Sequence, residues 1–281
     1  MQLRIVHETS YRFSDVVFIE PHTLRFHPGV KPFLRTKSFV LDMDPVPAGL
    51  VPYTDPEGNI VHNCWFNGLH NKLTIKCRID IETSETNPYH FIINPARYVN
   101  LPFEYYPSDR DLLAPALTYG ALDENLIRYA EQILADAGYE TVPFVSLLTQ
   151  SIHADFKKTV RLEGPPHNAN TTFNSKQGAC RDLAWMQIQM FRKLGIASRF
   201  VSGYYYLPDL SSPFELHAWV EVFLPGAGWI GVDPSYGLLT GADHFALAHS
   251  AYSEHTMTVS GTILGNAKST LSTYLSIVPV R

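Results

Sequence analysis

The sequence predicts an α+β protein, with an antiparallel β-sandwich-like domain first and a core of mixed helices and strands behind it. Three observations predict this fold class. Apolar and polar residues alternate over much of residues 1–90, helical periodicity begins near residue 123, and short strand-like runs return after residue 197. We therefore assign residues 1–100 to a β-rich domain and residues 101–281 to the core, a division that the chain length allows.

The clearest strand of the front domain covers residues 73–81, where every odd position is apolar and every even position is polar. Such alternation is typical of a strand with one buried face. Turn-forming residues separate this strand from weaker ones at residues 27–29, 44–47 and 55–59. Several short strands with these turns between them predict a small antiparallel sandwich or barrel.

The middle of the chain has the spacing of helices. Residues 123–138 repeat apolar positions with helical period, between Asp123 as N-cap and a glycine stop, and a second helix begins at Pro143. Residues 161–176 are rich in Gly, Pro and Asn and predict a surface loop. A third helix is expected from about Cys180 to Leu194. Strands are then predicted over Ser198–Tyr206, His217–Leu224, Gly228–Asp233 and Leu271–Val280.

The composition limits the possible partners. The 22 Lys and Arg residues against 27 Asp and Glu residues give a net charge of −5, which offers no overall footprint for nucleic acid or for an anionic membrane. No uncharged apolar run approaches the ~18 residues of a membrane span. Charge among the first eight residues argues against a signal peptide, and three scattered cysteines fit a reducing compartment. We expect a cytoplasmic protein that binds neither nucleic acid nor membrane.

One cysteine stands where a thiolate would be stabilised. In residues 177–182 (QGACRD) a glycine turn leads into a helix whose first residues include Cys180. Unsatisfied amides and the positive end of the helix dipole favour a thiolate at that place. Such a thiolate is a nucleophile at neutral pH. Cys64 and Cys77 lie within strand-like runs, so we expect both to be buried core residues.

A thiol nucleophile needs a base, and the base needs a group that orients it. His217 opens one predicted strand and Asp233 ends the next, with the tight connection Pro225–Gly228 between them. In such a hairpin the start of one strand lies beside the end of the other. The sequence therefore predicts His217 next to Asp233, although periodicity does not show that Cys180 docks against the pair.

We predict no metal site and no cofactor. His244, His249 and His255 cluster near the C-terminus, but their spacings of five and six residues match no zinc signature. The sequence also has no glycine-rich phosphate loop and no G-x-S-x-G elbow.

These residues resemble a known family. Residues 178–204, 217–222 and 228–235 are similar to the bacterial transglutaminase-like superfamily, and residues 7–11, 24–28 and 55–61 resemble the N-terminal β-domain that often precedes that core. The resemblance implies a papain-like core with the cysteine on a helix packed against an antiparallel sheet. It also implies that Cys180 is the nucleophile, His217 the base and acid, and Asp233 the group that orients His217, with Asp182 in a structural role.

The implied activity is thiol acyl transfer on the amide bonds of a peptide or protein substrate. Water as second nucleophile makes a peptidase or amidase, the reading that we favour, and an amine makes a transglutaminase. The second oxyanion donor stays open between Gln177 and Asn174. Residues 248–254 (AHSAYSE) replace a Gly-Arg-Asp-Tyr-like stretch of the family, which leaves altered substrate choice or a non-catalytic scaffold as alternatives.

Overall fold

A computed structural model describes residues 1–161, 163–207 and 214–280 of the chain. It shows an antiparallel β domain built around the N-terminal strands and a core of helices packed on a second antiparallel sheet, which confirms the predicted α+β class. Within the described residues, no helix is both long enough and apolar enough to cross a lipid bilayer.

The strands are numbered in chain order through the described residues. Their bounds are β1 Gln2–Ile19, β2 His22–Leu24, β3 Leu34–Asp44, β4 Gly49–Thr54, β5 Ile60–Trp65, β6 Leu69–Thr83, β7 Lys157–Lys158, β8 Gln177–Gly178, β9 Ser198–Tyr205, β10 His217–Leu224, β11 Gly228–Asp233, β12 Leu238–Leu239, β13 His244–Ser250, β14 Val259–Ser260, β15 Ile263–Leu264 and β16 Ser269–Pro279.

The front domain consists of two antiparallel sheets that share one apolar core. The first sheet runs β3–β6–β1, with β15 and β16 on the far side of β1, and the second runs β14–β2–β5–β4. Pairing of Leu3 with Ile81 and of Ile5 with Ile79 puts the apolar positions of β1 and β6 on the same inner face. The alternation over residues 73–81 thus forms the predicted strand, within the longer β6.

The last strand of the chain lies in the front domain. Strand β16 pairs with β1 from Leu3 opposite Pro279 to Phe13 opposite Ser269. The sequence assigned these C-terminal residues to the core because local patterning shows that a strand exists but not which strand it pairs with. β1 is 18 residues long, and its free edge accepts the returning strand.

The described residues contain five α-helices and two short 3₁₀ helices. The α-helices are α1 Pro107–Leu117, α2 Glu124–Asp136, α3 Thr141–Asp155, α4 Ala169–Ser175 and α5 Cys180–Lys193, and the 3₁₀ helices cover Ala96–Tyr98 and Ser253–Thr256. The segment 161–176, predicted as a loop, contains α4. This helix forms there because the Asn168 side chain accepts the Asn170 N–H at 2.9 Å and so caps the helix start. Residue 162 of that segment lies outside the described residues.

The core sheet runs β12–β11–β10–β9–β13. Helix α5 packs on β10 and β9 with its apolar side, including the fully buried Met186 and Phe191. Tyr204 of β9 shares an apolar cluster with Leu24 and Phe26 of the front domain. The core sheet therefore packs against both the helices and the front domain.

Candidate active site

Cys180 is the first residue of α5, as the sequence predicts. The buried Asp182 fixes this helix start, because its Oδ2 accepts the Ala179 N–H at 2.9 Å. Its Oδ1 accepts the His167 N–H at 2.8 Å and a hydrogen bond from Arg161. Asp182 thus ties the segment before α4 to the turn that presents the cysteine, which is a structural role.

His217 and Asp233 meet in the predicted hairpin. Strands β10 and β11 pair in antiparallel register, with Val220 opposite Val232, so the start of β10 lies beside the end of β11. His217 Nε2 hydrogen-bonds Asp233 Oδ2 at 2.6 Å, and Asp233 Oδ1 accepts the Ser235 N–H at 2.8 Å. Asp233 is fully buried and His217 is 7% exposed, so water screens this pair little.

The packing of α5 on β10 brings Cys180 to this pair. Burial disfavours the thiolate, but a hydrogen bond and the charge of His217, together with the Ala218 N–H, outweigh it and lower the pKa of the Cys180 thiol. Burial likewise opposes the charge on His217, but Asp233 and Cys180 raise the pKa of its imidazole well above the ordinary value. Both shifts favour the ion pair of a thiolate and an imidazolium over the pair of neutral side chains.

A fourth residue, His244, completes the buried cluster, and sequence reasoning missed it. Its Nε2 lies 3.2 Å from Asp233 Oδ2, the oxygen that His217 also contacts. His244 opens β13, where it pairs with Tyr205 of β9, and the two rings stack at 4.0 Å between centroids. The sequence signal that could have identified His244 as a site residue is its position as the first residue of an apolar strand, which is also the position of His217.

The three C-terminal histidines do not form one group. His249 bonds the Glu57 carbonyl at 2.8 Å, and His255 packs edge-on against Tyr252. Only His244 of the three lies beside the Asp233 carboxylate.

His217, Asp233 and His244 are also the residues of the described chain that are spaced to hold a metal ion, since one donor atom from each lies within 4.8 Å of the others. The same atoms already bond one another. A metal between them would take the Nε2 lone pair of His217 and break its bond to Asp233, so metal binding and an Asp-oriented imidazole are alternatives at this place.

Aromatic rings surround His217. Tyr205 stacks on it with ring centroids 5.8 Å apart, Tyr236 meets it edge-on at 5.6 Å, and Trp219 lies behind it at 6.1 Å. The Tyr236 hydroxyl accepts a hydrogen bond from Lys158 Nζ at 2.9 Å. These rings hold the imidazole in place while leaving one edge toward Cys180.

A cavity of about 460 Å³ lies next to the end of β11. Its walls come from the end of α3, the start of β7, α5 and the two residues after Asp233, and they carry several lysines. The lining includes His153, Lys157, Lys158, Lys176, Leu183, Pro234 and Ser235.

The two candidates for the second oxyanion donor differ in their surroundings. The Asn174 side chain donates to the Asp123 carboxylate at 3.2 Å, near the start of α2, and is held there. Gln177 is exposed in β8, three residues before Cys180. Of the two, Gln177 is the one nearer to Cys180 in the chain.

Residues 248–254 attach the core to the front domain. Asn59 accepts the His249 N–H and donates to the His249 carbonyl, both at 2.9 Å. The Ala251 N–H donates to Glu57 at 3.1 Å. The unusual sequence of this segment thus meets the turn at residues 55–59 of the front domain.

Comparison with known proteins finds two separate family matches along the chain. The bacterial transglutaminase-like N-terminal region matches residues 3–82, and the transglutaminase-like superfamily matches residues 127–234. An uncharacterized protein of Mycobacterium tuberculosis is 25% identical over 260 residues, covering 83% of this chain and 78% of that protein. A protein-glutamine gamma-glutamyltransferase of Pseudomonas aeruginosa is 32% identical over 105 residues, which are 32% of this chain and 15% of that protein.

A solved structure shares the fold over the whole chain. It is that of a proposed cysteine protease from Cytophaga hutchinsonii, with a TM-score of 0.71, 18% sequence identity and coverage of 100% of this chain and 92% of that one. Both domains and their order are therefore matched in sequence families and in a solved fold. The core of the chain, over residues 127–234, belongs to the transglutaminase-like superfamily, and residues 3–82 ahead of it match the bacterial transglutaminase-like N-terminal region.

Proposed function

We propose that the protein is a cysteine-dependent acyl-transfer enzyme that acts on amide bonds of a peptide or protein, and that it works as a peptidase or amidase. The observation that carries this proposal is the cluster at the start of α5. The Cys180 thiol has a lowered pKa beside His217, and His217 hydrogen-bonds the buried Asp233 at 2.6 Å. A thiol that has a lowered pKa and contacts an oriented imidazole is typical of the nucleophile of a thiol enzyme.

The proposed reaction has two halves. The Cys180 thiolate attacks the substrate carbonyl, and the oxyanion is held by the Cys180 backbone N–H, which lies in the first helical turn and lacks an intrahelical acceptor. The C–N bond breaks as the His217 imidazolium gives its proton to the leaving amine, and a thioester remains. His217 then takes a proton from water, whose oxygen attacks the thioester. The acid product leaves, and the thiolate and imidazolium are restored.

A second candidate function differs only in the second half of the reaction. An amine in place of water would give a new amide and make the protein a transamidase. The relative from Pseudomonas aeruginosa, a protein-glutamine gamma-glutamyltransferase that aligns with about a third of this chain, supports this alternative. Incubation of glutamine-containing peptides with a fluorescent primary amine separates the two. Hydrolysis predicts free acid as the main product at every amine concentration, and transamidation predicts amine incorporation.

Alkylation of Cys180 tests the proposal before any substrate is known. We would measure labelling by iodoacetamide from pH 4 to pH 9, locate the label by peptide mass, and repeat the series with His217→Ala. Cys64 and Cys77 are internal controls, because both are buried and burial raises the pKa of each thiol, that of Cys64 to about 11. Added EDTA shows whether a bound metal ion affects the labelling.

The proposal predicts fast Cys180 labelling well below pH 7, slower labelling in His217→Ala, and no effect of EDTA. Labelling that rises only near the pKa of an ordinary thiol would refute an activated nucleophile and favour a non-catalytic scaffold. Labelling that increases strongly on adding EDTA would instead indicate that a metal occupies the His217 and Asp233 side chains.

A further inference from the structure

The Asp233 carboxylate has two imidazole neighbours, and the proposed reaction uses only one of them. His217 Nε2 lies 2.6 Å and His244 Nε2 lies 3.2 Å from the same oxygen, Oδ2. The other oxygen, Oδ1, accepts the Ser235 N–H. Among the described residues, the hydrogen bonds to this carboxylate come from these three side-chain and backbone donors.

The direction of the second bond follows from the chemistry of the partners. The pKa of Asp233 is held far below its usual range, because the His217 and His244 contacts outweigh burial. An ionised carboxylate only accepts hydrogen bonds, so His244 Nε2 carries the proton. His244 Nδ1 is buried and has no hydrogen-bond partner among the described residues, which leaves it without a proton in a neutral ring.

The surroundings of His244 keep its ring neutral and fixed. Burial lowers the pKa of its imidazole despite the opposite effect of Asp233, and the nearby charge of His217 lowers it further. The other titratable groups facing it are Tyr205, which stacks on it, and Asp243, its chain neighbour. The stack has an interplanar angle of 19° and therefore sets the plane in which Nε2 points at Asp233.

We propose that His244 is a positioning residue of this site, which donates its Nε2–H to Asp233 Oδ2 and so holds the carboxylate ionised and against His217 Nε2. This inference rests on the proposed function, since it gives His244 a part in activating Cys180. His244 acts through Asp233 and touches neither the thiol nor a substrate. Loss of the donor frees one side of the carboxylate and weakens the thiolate–imidazolium pair.

Nitrogen NMR of ¹⁵N-histidine-labelled protein tests the direction of the bond in the intact chain. Near neutral pH, the proposal expects a neutral His244 ring that is protonated on Nε2 and unprotonated on Nδ1, assigned by comparison with His244→Gln. A ring protonated on Nδ1 alone could not donate to Asp233. That result would overturn the inference.

Labelling of Cys180 by iodoacetamide at pH 6 tests the consequence. His244→Leu replaces the imidazole with an apolar side chain of similar size that has no N–H donor. We expect the labelling rate of Cys180 to fall about tenfold, the effect of roughly one lost hydrogen bond to a charged group. His244→Gln places an amide N–H near the position of Nε2 and should restore most of the rate. His7→Leu removes another buried histidine, hydrogen-bonded to Tyr204 in the domain interface, and should leave labelling unchanged.

A double-mutant cycle with Asp233→Asn separates positioning from a general loss of structure. If His244 acts through Asp233, His244→Leu has no further effect on labelling in the Asp233→Asn background. Equal slowing in both backgrounds, or wild-type labelling in His244→Leu, would overturn the inference. If His244→Leu does not fold, the NMR result on the wild-type protein decides whether His244 Nε2 donates to Asp233. A wild-type Cys180 that labels as an ordinary thiol would refute the proposed function itself.

Discussion

The buried Glu221 carboxylate joins the two domains, and its removal measures how firmly they are held together. Glu221 lies on β10, is 2% exposed, and accepts hydrogen bonds from Lys31 Nζ at 2.7 Å and Arg199 Nε at 2.8 Å. Lys31 comes from the front domain and Arg199 from β9. Burial would raise the pKa of this carboxyl, but the charges of Arg199 and Lys31 outweigh it and lower the pKa from 4.5 to about 2.

This lowered pKa makes Glu221 a source of stability that depends on pH. The difference between a pKa of 4.5 and one of about 2 corresponds to about 3 kcal/mol of the free energy of unfolding at pH 7. Because the folded pKa is the lower one, the contribution is fully present above the unfolded value and is lost as the pH falls through the folded value. At pH 3 the linkage relation leaves less than half of this contribution.

Urea unfolding of Glu221→Gln at pH 7 and pH 3 tests these numbers. We expect the variant to be about 3 kcal/mol less stable than the wild type at pH 7, with the difference narrowing by about 2 kcal/mol at pH 3. Asp42→Asn is the matched control, because the Asp42–Arg78 pair is more than half exposed on both sides and should not measurably affect stability. A difference of the same size at both pH values would refute this account of Glu221.

Three further predictions concern the helix start, the domain contact and the oxyanion. Asp182→Ala leaves three donors without their acceptor, the buried Ala179 N–H among them, so we expect a loss of about 3 kcal/mol in the free energy of unfolding by urea and slower Cys180 labelling. Asn59→Ala should cost about 1–2 kcal/mol but leave labelling unchanged, because its two bonds to residue 249 lie away from the thiol. Once a hydrolysed peptide is found, Gln177→Ala should lower kcat by about 10²-fold, as expected for the second oxyanion donor, while Asn174→Ala changes kcat little. Equal losses of kcat in the two variants would contradict the choice of Gln177 as that donor.

Local signals in the sequence were enough for part of the candidate site. The glycine turn before Cys180 predicts the start of α5, and the structure begins the helix at that residue. The short connection at residues 225–228 predicts the hairpin, which brings His217 beside Asp233. Both features depend on residues that are close in the chain, where turn chemistry and hydrophobic period determine the geometry.

The tertiary structure decided the contacts between distant segments. The docking of Cys180 on His217 depends on which face of α5 packs against β10, and the place of His244 depends on β13 pairing with β9. The pairing of β16 with β1 joins segments more than 250 residues apart. Periodicity tells which face of a strand or helix is buried but not what buries it. The sequence alone therefore predicted several of the helices and strands and the His217–Asp233 pair, while packing between distant elements brought in the thiol, the second histidine and the pairing of the C-terminal strand.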